Sequence, residues 1–318
     1  MFLCRYETED GVRLGARLDG DRVVDLTSMI EELGVGAPGD PAAEFIRAGQ
    51  AALDAASELL TRAPEELVVP LEGLRLLPPF RPVKVRNFSV YEGHIRNAVR
   101  AAIELRAGRV AADLADRLGI ARPPRAWYRR PLYYKGNHAS VIGPDAEIVR
   151  PSYTEQLDYE LELAVVIGRP GRDLDAATAL DHVFGYTLLN DVSARDVLTG
   201  ELLSRMGPAK GKDFDTGNVI GPWLATRDEV PDPRALNGEV RVNGRRRATC
   251  TTSDMRYSVE QMLVEASRGE TLVQGELIGT GCCTWGSGLE LKTFLQPGDL
   301  VELSLGRLGT LRNRVAAT

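Results

Sequence analysis

Leu157-Asp158-Tyr159-Glu160-Leu161-Glu162-Leu163-Ala164-Val165-Val166-Ile167-Gly168 is the stretch from which the fold is read. Across 161–167 the run is apolar and partly β-branched, and Gly168 ends it, as expected of a buried strand. Strand side chains alternate between faces, so Glu160 and Glu162 share one face, with Asp158 on the same side. Two adjacent carboxylates on a buried strand repel each other and lose hydration. A bound divalent cation is the compact compensation; the alternative is a solvated strand face. Downstream, the apolar Val183-Phe184-Gly185-Tyr186-Thr187-Leu188-Leu189 runs into Asn190-Asp191-Val192-Ser193-Ala194-Arg195-Asp196. A second strand ending in this polar cluster can deliver a third carboxylate, Asp191, to the same cation. Three carboxylates make a hard oxygen site, suited to Mg²⁺, Mn²⁺ or Ca²⁺ rather than to a thiolate-seeking metal.

Outside this centre the chain breaks into many short strands with turn signals, which predicts a β-dominated α+β protein. Residues 1–77 read as a small N-terminal domain and 78–318 as the metal-binding domain. The first unit opens with a hairpin over 14–26. Asp40-Pro41 then starts one or two Ala-rich helices, with Asp at the cap and Pro at the first helical position, and a strand over 71–77 precedes Pro78-Pro79. A strand over 83–90 leads into His94. A helical pattern over 95–120 is interrupted or ended by Gly108 and Gly119, and Arg122-Pro123-Pro124-Arg125 breaks it. Residues 91–130 could act as a lid; a plain surface excursion is the alternative. Further on, Asn243-Gly244 is a hairpin turn, Ser258-Val259-Glu260-Gln261 a capping box, 277–281 a strand, and two strands after Pro297-Gly298-Asp299 close the core.

The 318 residues carry a formal net charge of -6 and no basic stripe, which argues against a nucleic-acid partner. There is no cationic start followed by an apolar h-region and no apolar stretch long enough to span a bilayer, so a cytoplasmic location is expected. Cys4 and Cys250 are isolated and Cys282-Cys283 are neighbours. None has a C-x-x-C spacing, which speaks against a zinc site or redox motif.

The glutamate pair, the Asn190-to-Asp196 segment and Lys210-Gly211-Lys212-Asp213-Phe214-Asp215, in this order, resemble the fumarylacetoacetate hydrolase family over roughly 83–315. The resemblance implies a rolled, mixed β-sandwich, a homodimer, a hard divalent cation, and chemistry on a 1,3-dicarbonyl or 2-oxo acid. It also assigns roles. Glu160, Glu162 and Asp191 would ligate the cation. The family's usual fourth ligand, an Asp seven residues before its His, is Asn87 here, which leaves the site one negative charge short. His94 would be the general base. The Glu three residues after that His is Asn97 here, so the partner is Glu290, within Gly286-Ser287-Gly288-Leu289-Glu290-Leu291. Lys212 would face the substrate, and Arg195 would grip a substrate carboxylate, the alternative being a pair with Asp196 or Asp215. Thr280, Asn137 and Leu198 fall at substrate-binding positions, and Leu198 replaces a polar Gln, so the substrate should differ from fumarylacetoacetate. Cleavage of a C–C bond in an acylpyruvate-like acid through a metal-stabilised enolate is the leading expectation. An isomerase, decarboxylase or hydratase using the same enolate is the second. A scaffold that has lost the chemistry is the third.

Overall fold

The computed structural model describes residues 1–34 and 40–317. Its centre is the run that opened the sequence reading. Every residue of the strand Leu161–Ile167 is buried, as is every residue of Val183–Asp191 and Asn218–Thr226. Strands covered on both faces read as continuous apolar runs rather than as an alternation, which is why the run was visible in sequence.

These strands lie in one mixed twelve-stranded sheet. In spatial order its main path is Val68–Pro70, Arg22–Asp25, Gly11–Arg17, Phe2–Thr8, Asn218–Thr226, Val183–Asp191, Leu161–Ile167, Glu276–Gly279, Lys84–Phe88 and Tyr133–Gly136. Most pairings are antiparallel, but Glu276–Gly279 runs parallel to Lys84–Phe88. One face packs on the helices Pro41–Ala48 and Gln50–Arg62, through Ala164, Val166, Leu189, Phe184 and Leu224. Phe45 meets Phe184 edge-on, with ring centroids 6.2 Å apart. Leu163, Val165, Ile167 and Leu188 face the other way. There they pack on a four-stranded antiparallel sheet, Arg245–Thr251, Asn237–Val242, Leu300–Leu305 and Thr310–Arg314, whose inner residues include Val240 and Leu303. The architecture is the expected β-dominated sandwich with helices outside it.

Local expectations meet local chemistry. Asp40 caps its helix through Ala42 N, with Pro41 in the first turn. Ser258 and Gln261 form the reciprocal capping box. Asn243 and Gly244 both take positive φ, 54° and 71°, as a tight hairpin turn requires. The strand expected over 71–77 is confined to Arg75–Leu77. Residues 1–77 do not stand apart in the sheet, because Phe2–Thr8 pairs with Asn218–Thr226 and continues it. Among the described residues no helix is long and apolar enough to cross a membrane.

The helical excursion is not one rod. Helix Glu92–Arg117 is broken at Gly108, whose φ of 81° and ψ of 170° lie outside the helical region. Arg96 pairs with Asp116 at 3.3 Å and Arg100 with Asp113 at 2.6 Å. A straight helix rises about 1.5 Å per residue, which would hold Arg96 and Asp116 about 30 Å apart. The two halves therefore double back as a hairpin. Lys292 fastens the hairpin to the C-terminal segment by a 2.6 Å pair with Glu104.

Candidate active site

Two neighbouring strands bring the buried carboxylates together. Glu160 and Glu162 flank the first residue of the central strand, and Asp191 ends its antiparallel neighbour. One carboxylate oxygen from each lies within 4.8 Å of the others. Asn87, at the edge of the group, donates its Nδ2 to Glu162 Oε1 (3.0 Å) and Asp191 Oδ2 (2.8 Å). In this arrangement the amide is a hydrogen-bond donor; acting as an oxygen ligand would require it to turn over. Asn87 Oδ1 and Asp191 Oδ1 are buried with no hydrogen-bond partner. Gly279 lies between these strands, and a Cβ there would overlap Asn87 Oδ1 and Glu162 Oε2. Unsatisfied buried oxygens beside a carboxylate triad, in a space kept open by a glycine, suit a hard divalent cation.

Two cations hold the triad. Lys212 Nζ lies 2.8 Å from Glu160 Oε2 and 2.7 Å from Asp191 Oδ2. Arg195 donates Nε to Asp158 Oδ2 at 2.7 Å and Nη2 to Glu160 Oε1 at 2.6 Å. Its partners are thus Asp158 and Glu160, not Asp196 or Asp215. Asp196 is used elsewhere, by Thr154 Oγ1 and the Glu155 amide. Leu198, one turn along the helix Arg195–Leu203, packs so closely on Gly211 that a Cβ there would overlap it, which fixes the loop bearing Lys212.

His94 sits in the first turn of the helical hairpin, and Glu290 belongs to the core. His94 Nδ1 lies 3.0 Å from Glu290 Oε2. When the ring is neutral, the carboxylate facing Nδ1 keeps the proton on that nitrogen, and Nε2 is the nitrogen that faces Glu160 Oε1, 3.6 Å away. Glu290 is fixed by the Ser287 hydroxyl (3.0 Å), the Trp285 amide (2.9 Å) and Asn97 Nδ2 (3.2 Å). Asn97, read from sequence only as a missing acid, therefore holds the Glu that replaces it.

Burial works against charge throughout, and the neighbours decide the outcome. At Glu160 the desolvation is overcome by Arg195, Lys212 and His94, which hold its carboxyl well below the usual range. Burial, then Asp191 and Glu160, push Glu162 well above it. Asp191 is also raised by burial, with Lys212 opposing. For His94 burial disfavours the imidazolium, but Glu290 and then Glu160 outweigh it, and its pKa rises. Burial, then Glu160 and Glu290, push the Cys282 thiol well above its ordinary value, so it is a neutral thiol rather than a ready nucleophile.

Other sequence-picked positions do other work. The Thr280 hydroxyl donates to Leu163 O (3.0 Å) and Gly281 O (3.3 Å), which ties two strands. Asn137 caps the short turn His138–Ser140 and receives Asn218 Nδ2 on its carbonyl, with no hydrogen bond to the triad. Tyr134 was not singled out from the sequence, and Asp158 and Cys282 were named there without the contacts they make. Tyr134 donates its hydroxyl to Asp191 Oδ2 at 2.6 Å, and strand register alone explains this, since Tyr134 pairs opposite Asn87. Asp158 accepts the Gly288 and Leu289 amides, at 2.7 and 2.9 Å, and so anchors the turn that presents Glu290. Cys282 lies with His94 and Glu160 in a second group of three metal-capable atoms within 4.8 Å.

The family model "Fumarylacetoacetate (FAA) hydrolase C-terminal" matches residues 99–316. The chain belongs to the fumarylacetoacetate hydrolase family. His94 and Asn87 precede the matched stretch. Among curated family relatives, the oxaloacetate tautomerase YisK of Bacillus subtilis (strain 168) is 34% identical over 206 residues, 64% of this chain and 65% of that protein. The chain thus matches just under two thirds of that relative's length. A putative hydrolase of Burkholderia multivorans is 39% identical over 202 residues, 62% of this chain and 68% of the relative. Among solved structures of the fold, fumarylacetoacetate hydrolase from psychrophilic Exiguobacterium antarcticum is 30% identical with a TM-score of 0.75, over 100% of both chains. Maleylpyruvate hydrolase from Sphingobium sp. SYK-6, in complex with manganese(II) and pyruvate, is 24% identical with a TM-score of 0.74, over 100% of this chain and 99% of that one. At that identity it speaks to the fold.

Proposed function

We propose that this family enzyme is a divalent-cation-dependent hydrolase that cleaves a C–C bond in an acylpyruvate-like or other 1,3-dicarbonyl acid, and works as a cytoplasmic homodimer. The observation that carries the reading is the His94–Glu290 dyad, whose free imidazole nitrogen faces the carboxylate triad from 3.6 Å. Glu160, Glu162 and Asp191 would hold the cation, with Mg²⁺ favoured and Mn²⁺ or Ca²⁺ as alternatives. When bound, it supplies Lewis-acid stabilisation to the enolate oxygen that develops as the C–C bond breaks. His94 takes a proton from water through Nε2, and the hydroxide adds to the distal carbonyl. Glu290 fixes the tautomer and stabilises the imidazolium. The departing electron pair is held as an enolate until a proton returns to carbon. Lys212 adds positive charge beside that position. Arg195 enters as a positioning residue, through Asp158 and Glu160.

The test separates cleavage from enolate chemistry alone. His94→Ala loses cleavage of an acylpyruvate by roughly two to four orders of magnitude, yet still exchanges the acidic C–H protons for deuterium. Cleavage near the wild-type rate in that variant would sink the assignment. The similarity to a protein named as an oxaloacetate tautomerase favours a second reading, an isomerase, decarboxylase or hydratase of a 2-oxo acid. That reading takes over if the wild type exchanges protons across a panel of 1,3-dicarbonyl acids and cleaves none. A scaffold role would show as no gain in thermal stability with Mg²⁺ or Mn²⁺. Light scattering at micromolar concentration checks the homodimer, and a monomer counts against it.

A further inference from the structure

We propose that His94, Cys282 and Glu160 form a second, softer metal site that takes Zn²⁺ beside the hard-cation site and shares Glu160 with it. The three side chains come from distant segments, and all are buried. One ligand atom from each lies within 4.8 Å of the other two. In a tetrahedral zinc site, bond lengths of about 2.0–2.3 Å place neighbouring ligand atoms about 3.3–3.7 Å apart. The 3.6 Å between His94 Nε2 and Glu160 Oε1 already has that spacing.

The orientation is as telling as the spacing. Metal-bound histidines generally donate their other ring N–H to a carboxylate, which fixes the tautomer and raises ligand basicity. His94 does this through Nδ1 and Glu290, and Ser287, Trp285 and Asn97 hold Glu290 in turn. Nε2 is therefore the nitrogen left to meet Glu160 Oε1, 3.6 Å away, and it lies in the same group of ligand atoms as Cys282. Among the described residues, the hydrogen bond of Cys282 Sγ goes to the Cys283 carbonyl at 3.3 Å.

Charge agrees. Asp158, Glu160 and Asp191 pair with the permanent cations Arg195 and Lys212, while Glu162 has the neutral Asn87 amide and Glu290 the His94 ring beside it. With all five acids ionised and His94 neutral, as a metal ligand must be, three negative charges remain. One hard divalent cation offsets two of them. A Zn²⁺ that displaces the Cys282 proton to solvent adds a net single positive charge and offsets the third. Ligand softness sorts the ions: the triad offers oxygen alone, whereas the neighbouring site offers imidazole nitrogen, thiolate sulfur and one carboxylate. The cysteine spacing in sequence argued against zinc because it reports only neighbours along the chain. An ion here takes the Nε2 lone pair that the proposed base needs, so zinc should switch that base off.

The test is binding to the full-length protein in excess Mg²⁺. Wild type takes a single Zn²⁺ per chain without releasing Mg²⁺. Cys282→Ser weakens that zinc by about a hundredfold or more, and Glu290→Gln by about ten- to a hundredfold through the histidine. Co²⁺ at the site shows a thiolate-to-metal charge-transfer band in the near ultraviolet, and Cys282→Ser loses it while its Mg²⁺ affinity and circular dichroism match wild type. Zn²⁺ that displaces Mg²⁺ one for one, with an affinity indifferent to Cys282→Ser, would overturn the proposal. So would a cobalt spectrum without the thiolate band. Failure of the protein to bind Mg²⁺ would instead count against the hard-cation reading, and the zinc and cobalt measurements would still decide this one.

Discussion

Glu290 determines what His94 can be. Its charge raises the imidazole pKa against the pull of burial, and a base works only when neutral. The cleavage rate should therefore climb with pH to a plateau, with a midpoint above the ordinary value of about 6.5. Glu290→Gln keeps the shape of the side chain and removes its charge, so the midpoint should move down and the plateau should fall. An unmoved midpoint in the pH–rate profile would show that Glu290 does not set the base. A parallel argument applies to Asn87. Asn87→Asp exchanges two donated hydrogen bonds for a fourth carboxylate, so titration calorimetry should find tighter Mg²⁺ binding and, in chelator, melting should find a less stable protein. Unchanged affinity would place residue 87 outside the cation's reach. At this scale the sequence was partly legible. The triad could be read from strand alternation plus one further acid. The pairing of His94 with Glu290 came from family resemblance, because nothing along the chain reports a contact across 196 positions. Tyr134 and Cys282 stayed hidden because their partners depend on strand register and on a turn from another segment.

Strands and helices were read more completely than their directions. The central strand was found over its full length because apolar runs announce burial on both faces. The excursion after residue 91 was read as helical with a break at Gly108, but periodicity says where a helix is and not which way its second half points. The reversal depends on a backbone conformation that is nearly glycine-only, and no atom lies within 4 Å of where a Cβ would sit. Gly108→Ala should therefore cost about 1–3 kcal/mol of conformational strain with no steric clash, visible as a lower urea midpoint. No change would mean that the turn tolerates an ordinary residue. By contrast, Gly279→Ala should leave the sheet in place and weaken Mg²⁺, since its methyl group would enter the space between Asn87 and Glu162.

Across the whole molecule, segment 1–77 was legible as hairpin, helices and strand, but not as part of the main sheet. The pairing of Leu3 with Leu224 leaves no local signal. The buried acids make stability depend on pH in a direction that can be derived. Glu162 and Asp191 have folded-state pKa values raised by burial, so the folded chain binds those protons more tightly than the unfolded one. Their contribution is most favourable below the unfolded carboxyl pKa of about 4 and is lost as pH rises through their folded values. In chelator, Glu162→Gln should therefore gain melting temperature relative to wild type as pH rises above the unfolded carboxyl value of about 4. With saturating Mg²⁺ the order should reverse. A difference independent of pH would mean that Glu162 is not strained by ionisation.

The dyad is divided between two pieces of the protein. His94 rides on the reversed helical hairpin, Glu290 belongs to the core, and a few contacts such as Lys292 to Glu104 hold the pieces together. The position of the hairpin and the integrity of the dyad are consequently linked. Any movement that opened the site to bulk water would also take the base from its partner and from the carboxylates it faces. A hairpin that swung away would leave the imidazole without its carboxylate, and one that stayed docked would keep the two together.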